Sequence, residues 1–344
     1  MLPKKQPTDS GLDPPAGMSP AEPDIRWYQG MPAVIAGTRM KTVMRFVEQI
    51  ANSNAAVLIV GESGTGKELV ARALHEHSAR SGRPFVDINC AALPDHLLES
   101  ELFGFEKGAF SGADSAKPGL FELANQGTLL LDEIAELSSK SQSKLLRVLN
   151  GYPYYRLGGT RKVEVNVRIV AATNADLESQ VRVGKFRADL YHRLNQVTVT
   201  VPPLRERSED IRPLAQFFLT RERAGMTISD GAAMALQGYC WPGNVRELRS
   251  LMARLAMTVS SASIRREDLP VEFQPFPPQE EASSSYSLDR LEQEVIFHAL
   301  EQADGHRKEA AELLGISPRT LMRRLKTYGA GHNRNPACGG LDCN

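Results

Sequence analysis

The sequence predicts an α/β domain with a buried parallel sheet covered by helices on both faces, then a helical subdomain, then a small all-α module. Three observations carry that prediction. Short, nearly continuous apolar runs, Val57-Leu58-Ile59-Val60, Phe85-Val86-Asp87-Ile88, Leu129-Leu130-Leu131 and Val167-Arg168-Ile169-Val170-Ala171-Ala172, alternate with helical stretches, as strands buried on both faces do. A glycine-rich segment ending in lysine follows the first run directly. After Pro202-Pro203 the strand signals stop, and apolar residues recur at three- and four-residue spacing instead.

Taken in order, residues 1–33 carry Pro3, Pro7, Pro14, Pro15, Pro20, Pro23 and Pro32 with little apolar periodicity, which predicts a disordered leader too short to be a sensory domain. Residues 34–204 form the predicted α/β subdomain. Residues 205–269 form a helical lid with helices over 211–218, 230–239 and 244–259, the last with Asn244 as N-cap. Residues 270–285 hold Pro275, Pro277, Pro278 and three consecutive serines, a composition that predicts an extended linker. Residues 286–329 form the terminal helical module, and 330–344 a flexible tail.

Composition narrows the function. The chain has 344 residues, enough for two or three domains. Lys plus Arg and Asp plus Glu both number 41, so nucleic-acid binding must come from local clustering rather than overall charge. No run approaches the roughly 18 apolar residues of a membrane span, and the N-terminus lacks a secretion signal, which predicts a cytoplasmic protein. Four cysteines are too few for a disulfide framework. Cys338 and Cys343, with His332 nearby, fall short of the four ligands of structural zinc.

Gly61-Glu62-Ser63-Gly64-Thr65-Gly66-Lys67 follows a predicted strand and opens a predicted helix. In that context backbone N–H groups turn around phosphate oxygens, the helix dipole favours the anion, and Lys67 supplies a cation. Glu68 follows where the general pattern has Ser or Thr on magnesium. Farther on, Gly127-Thr128-Leu129-Leu130-Leu131-Asp132-Glu133 is an apolar strand ending in two carboxylates. Asp132 is read as the magnesium ligand and Glu133 as the group that polarises water.

These motifs resemble the AAA+ domain of sigma-54-dependent activators, the bacterial enhancer-binding proteins, over about residues 34–269. The most specific element is Glu101-Leu102-Phe103-Gly104 followed by Gly108-Ala109-Phe110-Ser111-Gly112-Ala113, similar to the loop that grips sigma-54, with Ser111 where the family usually has Thr. By the same resemblance Asn89 is the switch residue restraining the catalytic glutamate. Asn174, after Thr173, is the first sensor. Arg187 and Arg193 are trans-acting fingers. Arg246, in Trp241-Pro242-Gly243-Asn244-Val245-Arg246-Glu247-Leu248, is the second sensor. The span from Phe218 to Trp241 is shorter than the family pattern, which implies a trimmed lid.

At the C-terminal end, a helix over 307–314 with Ala310, Ala311, Leu313 and Leu314 on one side, a turn at Gly315 and a second helix from Pro318 outline a helix-turn-helix. The second helix buries Leu321 and Leu325. Arg307, Lys308, Arg319, Thr320, Met322, Arg323 and Lys326 are the candidate DNA contacts. Over residues 305–329 six basic residues oppose two acidic ones. The module resembles the Fis type, and the preceding helix, with Leu288, Leu291, Val295, Ile296, Ala299 and Leu300, is expected to pack on a dimer partner.

The resemblance implies a ring, a hexamer by family precedent, that hydrolyses ATP with Mg to remodel sigma-54 RNA polymerase closed complexes while bound to upstream double-stranded DNA. Without a sensory domain, control falls to a regulatory or heteromeric partner protein, or to expression level. The alternative is an AAA+-derived DNA-binding regulator that does not remodel sigma-54 polymerase. An intact Glu133, both arginines and the contact loop argue against it. A AAA+ chaperone accounts for neither that loop nor the helix-turn-helix.

Overall fold

A computed structural model describes residues 24–273, 288–303 and 306–329. The chain divides into two compact units, Met1–Pro275 and Phe276–Asn344. Among the described residues no helix is long and apolar enough to cross a membrane.

The first unit opens with an antiparallel hairpin, β1 (Asp24–Tyr28) and β2 (Met31–Ile35), which corrects the expected leader boundary at residue 33. Gln29 and Gly30 both have positive φ, 46° and 76°, the geometry of a tight two-residue hairpin turn. Tyr28, Ala33, Val34 and Ile35 are buried. Pro32, counted among the leader's prolines, is tolerated in β2 because a two-stranded ribbon is all edge. The leader expected over residues 1–23 lies outside the described residues.

The α/β body then runs through α1 (Thr38–Ile50), β3 (Val57–Val60), α2 (Lys67–Glu76), β4 (Phe85–Asn89), α3 (Asp95–Phe103), α4 (Leu120–Leu123), β5 (Thr128–Asp132) and α5 (Ser139–Leu149). It continues with a short ribbon of β6 (Tyr154–Tyr155) and β7 (Lys162–Val163), then β8 (Arg168–Thr173), α6 (Leu177–Arg182), α7 (Ala188–Leu194) and β9 (Val197–Thr200). Five strands make one parallel sheet in the order β4-β5-β8-β3-β9. Alternate residues of a strand feed opposite cores: Leu129 and Leu131 pack with Phe103, Phe121 and Leu190, whereas Leu130 packs with Val70, Leu74 and Val170. Both faces are therefore covered, as the continuous apolar runs predict. Strand β9 is the one the apolar runs do not reveal: Val197-Thr198-Val199-Thr200 alternates because it is an edge strand with exposed threonines. The buried Arg168 guanidinium donates to the Ile50 and Ala51 carbonyls and so caps the C-terminal end of α1.

The lid comprises α8 (Ile211–Glu222), β10 (Thr227–Ile228), α9 (Asp230–Gln237), α10 (Asn244–Thr258) and β11 (Ser263–Ile264). It packs around Trp241, Leu236, Leu248 and Leu255. The cap of α10 is Gly243 rather than Asn244, because Asn244 sends its side chain to other partners. The lid also extends past residue 269: Phe273 is buried against Tyr239 and Trp241, with ring centroids 4.5 and 5.4 Å away. The rest of the expected linker, residues 274–285, lies outside the described residues.

The second unit is a three-helix module, α11 (Leu288–Gln302), α12 (Arg307–Leu313) and α13 (Pro318–Gly329). Its core is Ile296, Ala303, Ala310, Ala311 and Leu321, with Leu325 packed against it. Two expectations change. Leu313 is 61% exposed. Ile296 and Ala299, expected to face a dimer partner, are buried within the module, whereas Val295 is exposed. One helix supplies the module's own core first, and only its remaining face is open to a partner. The side chains of Leu288 and Leu291, and the tail with His332, Cys338 and Cys343, lie outside the described residues.

Candidate functional site

The glycine-rich loop joins β3 to α2, whose cap Gly66 has φ 101°; a side chain rarely adopts that conformation. Lys67 is only 7% exposed. Its Nζ donates to the Gly61 carbonyl at 2.9 Å and the Glu62 carbonyl at 3.3 Å, and lies 3.8 Å from Glu133 Oε1.

The remaining loop carbonyls are taken as well. Ser63 O accepts from Asn244 Nδ2 at 3.1 Å, Gly64 O from the Val245 N–H at 3.0 Å, and Thr65 O from Arg207 Nη2 at 2.6 Å. With its carbonyl edge occupied by the lid and the segment leading to it, the loop presents its N–H edge to an anion. Glu68 pairs with Arg72 at 2.5 Å and so does not take the part of the usual Ser or Thr.

Sheet order brings the acidic pair across from the loop. Asp132 ends β5, and Glu133 follows with φ 51°, a left-handed conformation that costs on the order of 1–2 kcal/mol in a non-glycine residue. Glu133 Oε2 accepts from the Asn174 backbone N–H at 3.4 Å. Burial, and next the charge of Glu133, push the Asp132 carboxyl above its usual range. Two carboxylates beside one lysine leave surplus negative charge in a half-buried place, so the donor set fits a hard divalent cation with oxygen ligands. Asn89 does not restrain Glu133 here: its Nδ2 reaches Asp132 Oδ2 at 3.5 Å and its Oδ1 accepts from the Ala91 N–H.

A cleft of about 300 Å3 opens over the loop. Its polar end holds Ser63, Lys67, Asp132, Glu133, Arg207 and Arg246. Apolar lining comes from Met31, Pro32 and Ile35 of the hairpin and from Leu214 and Phe217 of α8. An apolar slot for a flat ring beside a cationic phosphate cradle is the shape of a nucleotide site. Met31 and Pro32, which fall inside the expected leader, thus line the cleft.

Sequence reasoning overlooked the residues that lock this site together. Glu62, read as a phosphate-loop residue, turns its carboxylate to Arg205 at 2.6 and 2.8 Å and to Asn244 Nδ2 at 3.1 Å. Buried Asp210 accepts from the Ala36 and Gly37 N–H groups, while Arg207, three residues earlier, clasps Thr65. The Arg-x-Arg-x-x-Asp spacing after Pro203 has no meaning without the loop it serves.

Hydrogen bonding by Arg205, then Asn244, holds the Glu62 carboxyl down to about 2. A depressed carboxyl stabilises fully above its ordinary value of about 4.5 and loses that contribution as pH falls toward 2. Glu62→Gln should therefore lower the melting temperature at neutral pH. The gap from wild type should shrink steadily below about pH 4.5, and a gap independent of pH would show that the pair does not couple to folding.

Arg187 and Arg193 do not line the cleft. Arg187 caps α7 and is held by Asp189 at 2.7 Å; Arg193 Nη2 donates to the Leu149 carbonyl at 2.9 Å. Arg246 from the lid meets Ser63 Oγ at 3.0 Å.

The 108–113 loop projects from a braced base. Phe105 bridges to Lys117 on one side and Leu157 on the other, and Arg156 ties Glu106 to Glu122. Gly108 N–H closes on the Ala113 carbonyl at 2.9 Å. Gly108 and Gly112 both have positive φ with open space around them. Phe110 is 44% exposed at the tip, its ring 4.9 Å from that of Phe105.

In the second unit Arg307, Lys308, Arg319, Met322, Arg323 and Lys326 are exposed. Arg307 Nη1 meets Met322 Sδ at 3.4 Å. Thr320 differs from expectation: its hydroxyl pairs with Ser317 at 2.7 Å at the start of α13. Arg324, left out of the contact set, braces the module through Glu292 at 2.9 Å.

Three family models match successive stretches of the chain: the sigma-54 interaction domain over residues 34–200, the AAA+ ATPase lid domain over 205–286, and the bacterial regulatory protein Fis family over 287–328. The chain is 46% identical over 304 residues to the regulatory protein AtoC of Escherichia coli, covering 84% of this chain and 66% of AtoC. It is 42% identical over 333 residues to the transcriptional regulatory protein FlbD of Caulobacter vibrioides, covering 90% and 73%. The crystal structure of NtrX from Brucella abortus in complex with ATP matches with TM-score 0.66 at 35% identity, covering 86% of this chain and 69% of that one. The chain spans between 57% and 66% of the length of the first curated relatives it matches. By these matches, and by the sheet, cleft and loop that underlie them, the chain belongs to the family of sigma-54-dependent transcriptional activators.

Proposed function

We propose that the chain is an ATP-driven transcription activator. A ring of subunits hydrolyses ATP, the 108–113 loop grips sigma-54 in a closed polymerase complex, and the C-terminal module holds the ring to upstream double-stranded DNA in the cytoplasm. The observation that carries this reading is the pairing of a phosphate cradle and Glu133 with a braced loop that ends in an exposed aromatic.

The chain's own residues suffice for the hydrolytic part. The loop N–H groups and Lys67 bind the outer phosphates, and Arg246 adds lid-borne charge. Glu133 takes the proton of the attacking water, held by the Asn174 backbone. Asp132, with Asn89 on its other oxygen, would hold Mg, which supplies neutralisation of phosphate charge. Arg187 and Arg193 stand away from their own cleft, which supports their service to a neighbouring subunit. The exposed cations of α12 and α13 fit phosphate and base-edge contacts. The regulator without remodelling activity has no use for the projecting loop.

Phe110→Ala tests the reading. ATP hydrolysis should stay within about twofold of wild type, because Phe110 lies outside the cleft. Capture of sigma-54 polymerase by the protein with a transition-state analogue should be lost, since truncating an aromatic anchor costs ~2 kcal/mol or more. Promoter opening at the wild-type rate would remove the loop from the mechanism.

A further inference from the structure

We infer that Asn244 is a positioning residue for the phosphate loop: through it the lid holds the loop open for an anion. This rests on the nucleotide reading of the cleft and goes beyond it.

Asn244 is wholly buried and sits at φ 52°, a conformation Asn tolerates better than most residues. Its side chain uses three contacts at once. Oδ1 accepts from the Leu204 N–H at 2.7 Å, fixing the chain where it enters the lid. Nδ2 donates to Ser63 O and to Glu62 Oε2, both at 3.1 Å. The next residue continues the seam through Val245 N–H to Gly64 O.

The fit is close enough that a Cβ on Gly64 would come within 2.4 Å of the Gly243 carbonyl. Arg207, from the segment that Leu204 begins, takes Thr65 O. A backbone carbonyl left without a partner turns toward whatever donor is near. Displacing the lid would free Ser63, Gly64 and Thr65 carbonyls together and let the loop collapse over its own N–H groups. Lid movement then becomes a way to unmake the phosphate cradle and release product.

Two full-length variants separate this from a merely structural role. Asn244→Gly keeps the left-handed backbone and removes all three side-chain contacts. Asn244→Asp keeps the acceptor for Leu204 and removes the donors. The charged groups around this position are Glu62 and Arg205, Arg207 beyond Thr65, and Arg246 and Glu247 on its own helix.

Both variants should weaken binding of a fluorescent ATP analogue by roughly tenfold or more, the sum of lost hydrogen bonds to the loop. KM for ATP should rise by more than kcat falls. The deficit of Asn244→Asp should shrink as pH falls, because burial beside Glu62 raises the introduced carboxyl above its ordinary range and its protonation returns a donor, and that of Asn244→Gly should not.

Lid folding is read from the fluorescence of buried Trp241 in a Trp27→Phe background. Affinity within about threefold of wild type in both variants, with the lid folded, overturns the inference. Should Asn244→Gly unfold the lid, hydrogen exchange at the Val245 amide of the nucleotide-free wild type decides: the bond to Gly64 O must already protect it, and exchange at the rate of an unprotected amide overturns the inference. A wild-type protein that does not bind ATP would instead sink the nucleotide reading itself.

Discussion

Glu133→Gln is expected to bind ATP as well as wild type or better, and to hydrolyse it ~10²–10⁴-fold more slowly. The amide keeps the size of the side chain and can still accept from the Asn174 N–H, now 3.4 Å from Oε2, so the left-handed turn after β5 need not change. What it loses is the ability to take a proton from water. It also loses the 3.8 Å ion pair with Lys67, which leaves that ammonium more fully available to phosphate. Single-turnover phosphate release with binding measured in parallel reads both effects. Hydrolysis within about threefold of wild type would place the base elsewhere.

Lys67→Ala is expected to weaken ATP binding by ~10²-fold or more, since hydrogen bonds from a charged donor contribute about 1.5–3 kcal/mol each. The loss is compounded by the loop itself. Lys67 reaches back to the Gly61 and Glu62 carbonyls, so its removal empties the cation site and unties the near end of the loop. Lys67→Arg should not rescue it, because a guanidinium does not fit a side-chain site that is 7% exposed. Titration with a fluorescent analogue tests this, and wild-type affinity would overturn the site.

The parts of this fold legible in the sequence are those where one local cause dominates. Strands buried on both faces show as unbroken apolar runs, and a phosphate loop shows because its glycines serve backbone geometry. Strand β9 escaped because its threonines face solvent at a sheet edge, and the β1–β2 hairpin because Pro23 and Pro32 place it with the proline-rich leader. The site was legible at Lys67, Asp132 and Glu133. It was not legible at Asn244, Arg205, Arg207 and Asp210, whose partners in the phosphate loop and just after the hairpin lie more than 140 residues away in the chain. A polar residue whose role is to satisfy a distant carbonyl has no local pattern to betray it. Asn89 illustrates the converse: its motif fits the family switch, but its amide here touches Asp132 instead of Glu133.

The braced base of the 108–113 loop sets a limit on stroke. A segment of six residues tethered at both ends has a contour of about 20 Å, so its tip can travel at most about 10 Å from the anchor. Gly108 and Gly112, with open space where a side chain would stand and already at positive φ, are the places where the loop can pivot. Phe105, bridged on both flanks, is the fixed end. Force applied to Phe110 is therefore carried into α3 and the β6–β7 ribbon with little give. On the function proposed above, displacement of sigma-54 beyond that reach would have to come from movement of the whole subunit.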